Sequence, residues 1–303
     1  MEPMPAGDLT LRQMVEWGTD LFEDAGLFFG HGTDNALDEA AYLTAYALGL
    51  SPDYEDVDLD RPLNEEEKQG VFALYRQRIE ERKPAAYLVH EAWFYGMPFY
   101  VDERVLVPRS PLAELIADGF QPWLGGHAVT RILDIGTGSG CIAIACAYAF
   151  PDAKVDAVDV SADALAVAEL NRQCYQLGGR LELLQSDLFS ALAERRYDII
   201  VSNPPYVDAE DMANVPAEFR HEPELGLAAG KEGLDLVTPL LAQASDYLNP
   251  GGILVVEVGN SAAALEARFP EVPFTWIEFE HGGEGVFMLE AETLAAYRHH
   301  FKD

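Results

Sequence analysis

Apolar spacing divides the chain into a helical first part and a second part where strands and helices alternate. In residues 8–28, Leu11, Met14, Val15, Leu21 and Phe22 recur near helical spacing. A second amphipathic stretch runs from Asp38 to Leu48, stopped at Gly49 and followed by Pro52. Asn64 can cap a third helix, Glu65 to Glu81, with acids in its first turn, Arg82-Lys83 at its end and Pro84 beyond. The pattern predicts a helical N-terminal domain over residues 1–88, suited to packing or to gripping a protein partner. Glu91 to Val101 alternates aromatics around Gly96-Met97-Pro98 and predicts a β-hairpin. The hairpin is expected to act as a linker over residues 89–103.

Arg104 to Pro111 then opens a helix near Leu112. Arg109 is flanked by Pro108 and Pro111 in an apolar setting, so it pairs with a buried carboxylate or reaches a site. From Thr130 the period switches between two and about 3.6. Strands are predicted at 131–135, 154–160, 181–184, 197–201 and 253–258. Helices are predicted at 141–150, 164–176 (capped by Ser161 or Asp163, ended by Gly178-Gly179), 234–248 (stopped by Asn249-Pro250-Gly251-Gly252) and 262–269. Segments 274–279 and 286–289 flank His281-Gly282-Gly283-Glu284-Gly285 and read as an antiparallel hairpin. Such alternation predicts an α/β domain over 104–303, a mostly parallel sheet with helices on both faces.

Charge and composition narrow the function. The 303 residues carry 52 acids and 20 Lys and Arg, a net charge of −32. By thirds the balance is 20 acids against 7 bases, then 14 against 8, then 18 against 5, so the charge is spread along the chain. A solvated acidic surface and steering of a basic macromolecule both fit. Free DNA or RNA does not fit, because phosphate binding needs a Lys/Arg surface. No run of eighteen apolar residues suggests a membrane span. Met1 to Pro5 lacks the basic-then-apolar order of a secretory signal. Three cysteines, Cys141, Cys146 and Cys174, suit a reducing cytoplasm better than a disulfide framework. No Cys/His set has metal-ligand spacing, and His299-His300 reads as a solvated tail.

The chemistry collects at strand ends. In open α/β sheets ligands bind beyond the carboxyl ends of strands. Asn203-Pro204-Pro205-Tyr206 follows the fourth predicted strand. Two prolines remove backbone donors, leaving the Asn203 side-chain oxygen and the Pro204 carbonyl as acceptors, with the Tyr206 ring beside them. That set suits a planar –NH2 group, which offers two donors and a flat face. Two fixed acceptors would aim its nitrogen at an electrophile and stabilise the charge that grows there. Upstream, Asp134 ends a strand before Gly136-Thr137-Gly138-Ser139-Gly140. Glycines allow close backbone approach, and Asp159, ending the next strand, can accept two ribose hydroxyls. The dinucleotide pattern would need glycine at 141, which is Cys141. The loop instead suits a nucleoside with a charged sulfonium tail, with Asp134 attracting that charge or organising the loop. Asp187, Leu188 and Phe189, after the third strand, could bound an adenine. Glu257, within the fifth predicted strand, is a candidate substrate-binding or site-shaping residue.

On these residues the chain resembles the protein glutamine N5-methyltransferases, over nearly its whole length. The branch acting on the large-subunit ribosomal protein uL3 is the more similar one. Phe99 to Pro111, Cys141 to Asp152 and His221 to Leu227 carry that closer match. The sister branch, which modifies peptide-chain release factors, usually has an acid shortly after Pro-Arg and an aromatic after the adenine-site acid; here Ser110 and Leu188 stand there. The resemblance implies a Rossmann-like, seven-stranded class I methyltransferase domain and S-adenosylmethionine as methyl donor. It further implies a glutamine amide held by Asn203 and Pro204, packed on by Tyr206, in a basic ribosomal protein. Alternatives are the same amide chemistry on release factors, methylation of an exocyclic base amine, and a non-enzymatic ribosome-assembly factor.

Overall fold

In the computed structural model, residues 4–5, 7–51, 54–126 and 128–301 are described. Pro52, noted beyond the second helix, residues 1–3 of the terminal stretch and the chain end at 302–303 lie outside them. The chain divides into two compact units, one ending at Ala92 and including Pro216–His221, the other formed by Trp93–Val215 and the residues from Glu222 onward.

The first unit is helical. Helix α1 (Leu11–Asp24) starts in a capping box between Thr10 and Gln13. Helix α2 (Ala36–Leu48) begins two residues before the predicted start, capped by Asn35, and ends at Gly49 with φ 64°. Helix α3 (Glu65–Glu81) has the predicted bounds, and Asn64 and Glu67 cap each other's backbone. A short α4 (Ala85–Val89) follows Pro84, where the apolar pattern predicts no helix. Apolar faces meet around Leu11, Met14, Phe22, Leu43, Val71 and Tyr75, all fully buried. The Tyr75 hydroxyl pairs with Thr44 at 2.5 Å and donates to the Ala40 carbonyl at 3.1 Å.

A buried charge cluster completes this unit. Arg78 Nε donates to Glu39 at 2.6 Å, and its Nη2 donates to the Phe28 carbonyl at 2.8 Å. Glu218, from the 216–221 excursion, receives the Phe28 amide at 3.1 Å and lies 3.4 Å from Arg78 Nη1 and 3.3 Å from Arg82 Nε. Arg78 and Glu218 are both wholly buried.

Next along the chain is a hairpin, β1 (Ala92–Phe94) and β2 (Met97–Phe99). Its turn is Tyr95-Gly96, with φ 55° and 68°; two positive φ angles make the two-residue turn that suits strand twist. The expected centre at Gly96-Met97-Pro98 is therefore corrected: Met97 and Pro98 belong to β2. Next come α5 (Leu112–Ala117), β3 (Arg131–Ile135), α6 (Cys141–Ala149), β4 (Lys154–Asp159), α7 (Ala162–Cys174), β5 (Leu181–Gln185) and β6 (Tyr197–Ser202). They are followed by α8 (Ala209–Asn214), α9 (Val237–Ala244), β7 (Leu248–Glu257), α10 (Ala262–Arg268), β8 (Thr275–Trp276), β9 (Val286–Glu290) and α11 (Ala291–Tyr297).

The seven-stranded sheet has the order β5-β4-β3-β6-β7-β9-β8. Strands β3 to β7 run parallel, and β9 is antiparallel to both neighbours. Alternation along the strands buries both faces. Ile132, Ile199 and Val255 face one apolar layer with α6; Leu133, Ile200 and Leu254 face the other with α9 and α10. Asn249 to Gly252 is not the predicted loop but the start of β7. The register with β6 shifts between Tyr197 and Ile199, and a Cβ on Gly252 would stand 3.0 Å from the Asp198 carbonyl. A glycine in a strand marks such close backbone approach. In the tail His299 is exposed and His300 part-exposed, 3.4 Å from the exposed Glu271, while Arg298–Phe301 forms a helical turn with Phe301 buried. Helix α7 ends before Gly178-Gly179, at Tyr175 and a left-handed Gln176 with φ 56°.

Candidate active site

Strand order reverses between β3 and β6, and ligands bind at such a switch point. A cavity of about 370 Å³ lies there within the second unit. Its walls are Gly136 to Ser139 after β3, Asp159 and Val160 after β4, Asp187 and Leu188 after β5, Asn203 to Pro205 after β6, and Arg104 to Ser110.

The glycine loop needs its glycines. Gly136, Gly138 and Gly140 have φ of 73°, 54° and 81°, angles that side chains resist. The Gly136 and Thr137 amides both donate to the Val158 carbonyl. Gly140 starts α6, and a Cβ there would sit 3.3 Å from the Ala168 Cβ. Gly140 therefore serves helix packing and does not line the cavity.

Asp134 does not line it either. It is wholly buried and accepts the Thr137 hydroxyl at 2.6 Å. Burial pushes its carboxyl up to about 7, offset in part by the Thr137 hydroxyl. Of the two roles expected, organising the loop matches this placement. A carboxyl that holds its proton more tightly folded than unfolded contributes stability below about pH 4 and loses it as pH rises through about 7. Asp134→Asn keeps an oxygen for Thr137 without the charge. It is expected to raise the thermal midpoint at pH 8 relative to the wild type and to change it much less at pH 4, in paired melting curves.

Asp159 holds the loop from the other side. It accepts the Gly138 amide at 3.0 Å and the Ser161 amide at 2.9 Å. Burial raises its carboxyl above the usual range, against these donors. Lone pairs remain for two further donors. Val160 also lines the cavity while half exposed; an apolar residue straight after the acid was its signal in the sequence. Asp187 is exposed at the rim. Leu188 lines the cavity with φ 45°. Phe189 is corrected: it is buried in the core, stacked on Tyr247 at 4.4 Å, away from the cavity. The left-handed turn at Leu188 sends the two side chains to different environments.

Asn203, Pro204 and Pro205 line the opposite wall. Among the described residues no hydrogen bond engages the Asn203 side chain. Tyr206 stands beside the cavity, half-buried, with its hydroxyl donating to Glu257 at 3.1 Å. Glu257 also accepts the Ser110 hydroxyl at 2.5 Å. Burial raises the Glu257 carboxyl, against both donors and the nearby Arg109 charge. Arg109 takes the carboxylate option: its two terminal nitrogens donate to Glu222 at 2.6 and 2.8 Å, while the Val107 amide donates to the same group at 3.0 Å. Arg109 lines the cavity as well. Glu222 and Ser110 are the partners that sequence reading did not single out.

A glycine loop, Asp159 and the Asn203-Pro204 pair, gathered at strand ends around one cavity of a seven-stranded α/β sheet, fit a methyltransferase of the Rossmann-like class. The family model "Methyltransferase small domain" matches residues 120–224, and "PrmC N-terminal domain" matches 13–89. The chain is 50% identical over 286 residues to the ribosomal protein uL3 glutamine methyltransferase of Neisseria gonorrhoeae, covering 94% of this chain and 95% of that one. Identity to the same-named protein of Neisseria meningitidis serogroup B is also 50%, covering 94% of each chain. Among solved structures, the ribosomal protein L11 methylase of Lactobacillus delbrueckii subsp. bulgaricus matches with TM-score 0.37 and 20% identity, over 58% of this chain and 75% of that one. The chain belongs to the ribosomal protein uL3 glutamine methyltransferase family. No helix among the described residues is long and apolar enough to cross a membrane.

Proposed function

We propose that this enzyme transfers a methyl group from S-adenosylmethionine to the side-chain amide nitrogen of a glutamine in ribosomal protein uL3. The observation that carries the chemistry is that Asn203 and Pro204 line the same cavity as the glycine loop, with the Asn203 amide held by no described neighbour. The relatives' printed name supports the acceptor.

The cavity residues fit the donor. Left-handed glycines allow backbone approach, Asp159 keeps lone pairs for ribose hydroxyls, and Val160 and Leu188 offer apolar walls with Asp187 at the rim for an exocyclic amine. When bound, S-adenosylmethionine supplies an electrophilic methyl group. The Asn203 side-chain oxygen and the Pro204 carbonyl accept the two amide hydrogens, which removes the rotational freedom of the acceptor and aims its lone pair. Both oxygens face nitrogen as it gains positive charge, so their interaction strengthens toward the transition state. No strong base is needed before attack, because the methylated nitrogen becomes acidic and releases a proton to water. The acidic surface suits a basic acceptor protein, and such a substrate is met in the cytoplasm. Association with uL3 is expected to weaken as salt rises from 0.05 to 0.5 M, on the order of tenfold or more as surface charges are screened. A salt-independent dissociation constant by titration calorimetry would return the charge to simple solvation.

Incubation with S-adenosylmethionine and purified uL3, then intact mass and peptide mapping, tests the reading. The expected result is a gain of one CH2 on a single glutamine of uL3. A gain on a release factor alone would keep the chemistry and change the acceptor; a gain on nucleic acid alone would overturn the amide reading.

A further inference from the structure

We infer that Glu257 is a positioning residue for methyl transfer, acting through Tyr206 on the acceptor pair Asn203 and Pro204. The inference rests on the reading that this loop receives the acceptor amide. The loop lacks the usual means of holding itself. Pro204 and Pro205 carry no backbone N–H, so fewer backbone bonds can fix it between the end of β6 and Val207. Its placement then depends on Tyr206, which is held at three points. The hydroxyl donates to Glu257 at 3.1 Å. The carbonyl accepts the Ser261 hydroxyl at 2.8 Å. The ring rests against Gly259, where a Cβ would stand 2.6 Å away and where φ is 47°.

Glu257 is the member of this seat that reaches the rest of the cavity wall. It ends β7, which lies beside β6 in the sheet, and is 5% exposed. Its second oxygen accepts Ser110 at 2.5 Å. Ser110 lies at the end of the Arg104–Ser110 wall and also receives the Leu112 amide at 3.2 Å, at the start of α5. One buried carboxylate thus ties two segments of the cavity wall together. Two hydroxyl donors on a buried carboxylate are charge-assisted, the stronger kind of hydrogen bond. Loosening it would let Asn203 drift, and small misplacement of a positioning group lowers turnover more than affinity.

The test is steady-state methylation of uL3 by the full chain carrying Glu257→Gln, Tyr206→Phe, Ser110→Ala and the paired variants. Glu257→Gln and Tyr206→Phe are each expected to lower kcat about 10- to 30-fold, with KM for both substrates within about twofold, as for one hydrogen bond to a charged group. The double variant is expected to be no worse than either single one, since both break the same link. Binding of S-adenosylhomocysteine by calorimetry is expected to be unchanged. Losses that multiply in the double variant, or a wild-type kcat in Glu257→Gln, would overturn the inference. If Glu257→Gln does not fold, Tyr206→Phe with Ser110→Ala decides: these hydroxyls meet through Glu257, so multiplying losses would again overturn it. A wild-type enzyme inactive on uL3 would instead remove the reading beneath.

Discussion

Asn203→Ala is expected to lower kcat on uL3 by about 100- to 1,000-fold, the loss seen when one preorganised group facing developing charge is removed. Affinity for S-adenosylhomocysteine is expected to stay within about threefold, because Gly136 to Ser139, Asp159 and Leu188 line the cavity independently of the Asn203 side chain. The substitution is a clean probe: no described residue relies on the Asn203 amide for a hydrogen bond, so the fold loses little. Asn203→Asp is expected to be poor too. It keeps the acceptor but sets a full charge in a partly buried wall, with its own desolvation cost and a tendency to protonate. Single-turnover rates, with binding measured separately, check both. A near-normal rate for Asn203→Ala would mean that the Pro204 carbonyl alone positions the amide.

What the sequence revealed of this site was local. Gly136, Gly138 and Gly140 announce a loop with positive φ because no other residue takes that backbone cheaply. Asn203-Pro204-Pro205-Tyr206 announces itself by removing backbone donors just beyond an apolar strand. Asp159 and Asp187 end strands whose period was plain. The parallel sheet followed from alternation of the two periods. The sequence hid partners far apart along the chain. Glu222 meets Arg109 across 113 positions, Ser110 meets Glu257 across 147, and Arg78 meets Glu218 across 140. Arg109, Ser110 and Glu257 stand out in the sequence singly, but nothing in residue type or spacing marks which residue each one meets. Phe189 was misplaced for a different reason. Its neighbour Leu188 adopts a left-handed conformation that an aliphatic residue seldom takes, so strand alternation could not be extended through the turn. Asn249 to Gly252 misled because its residues favour loops, whereas here they open β7 across a shift of register with β6.

Arg78→Met is expected to destabilise the helical unit by about 3–5 kcal/mol, the cost of breaking a buried ion pair by removing one partner. The arginine is wholly buried and stands between two buried carboxylates, Glu39 at 2.6 Å and Glu218 at 3.4 Å. Without it, two acids face each other in an apolar interior, with Arg82 at 3.3 Å from Glu218 as partial compensation. Against a typical domain stability of about 5–15 kcal/mol, that loss leaves the unit marginal. The size of the effect comes from the stranded charges rather than from any large net gain in the intact cluster. Adding Glu39→Gln and Glu218→Gln to Arg78→Met should therefore recover most of the lost stability, because no ionised group is then left buried without a partner. Urea titrations of the full chain, followed by Trp17 fluorescence, compare the single and triple variants. Trp17 packs on Phe72 at 5.8 Å within this unit and reports on it. A triple variant no more stable than Arg78→Met would show instead that the cluster stabilises the unit through its hydrogen bonds, with the 216–221 excursion held chiefly by the Phe28 amide and carbonyl on Glu218 and Arg78.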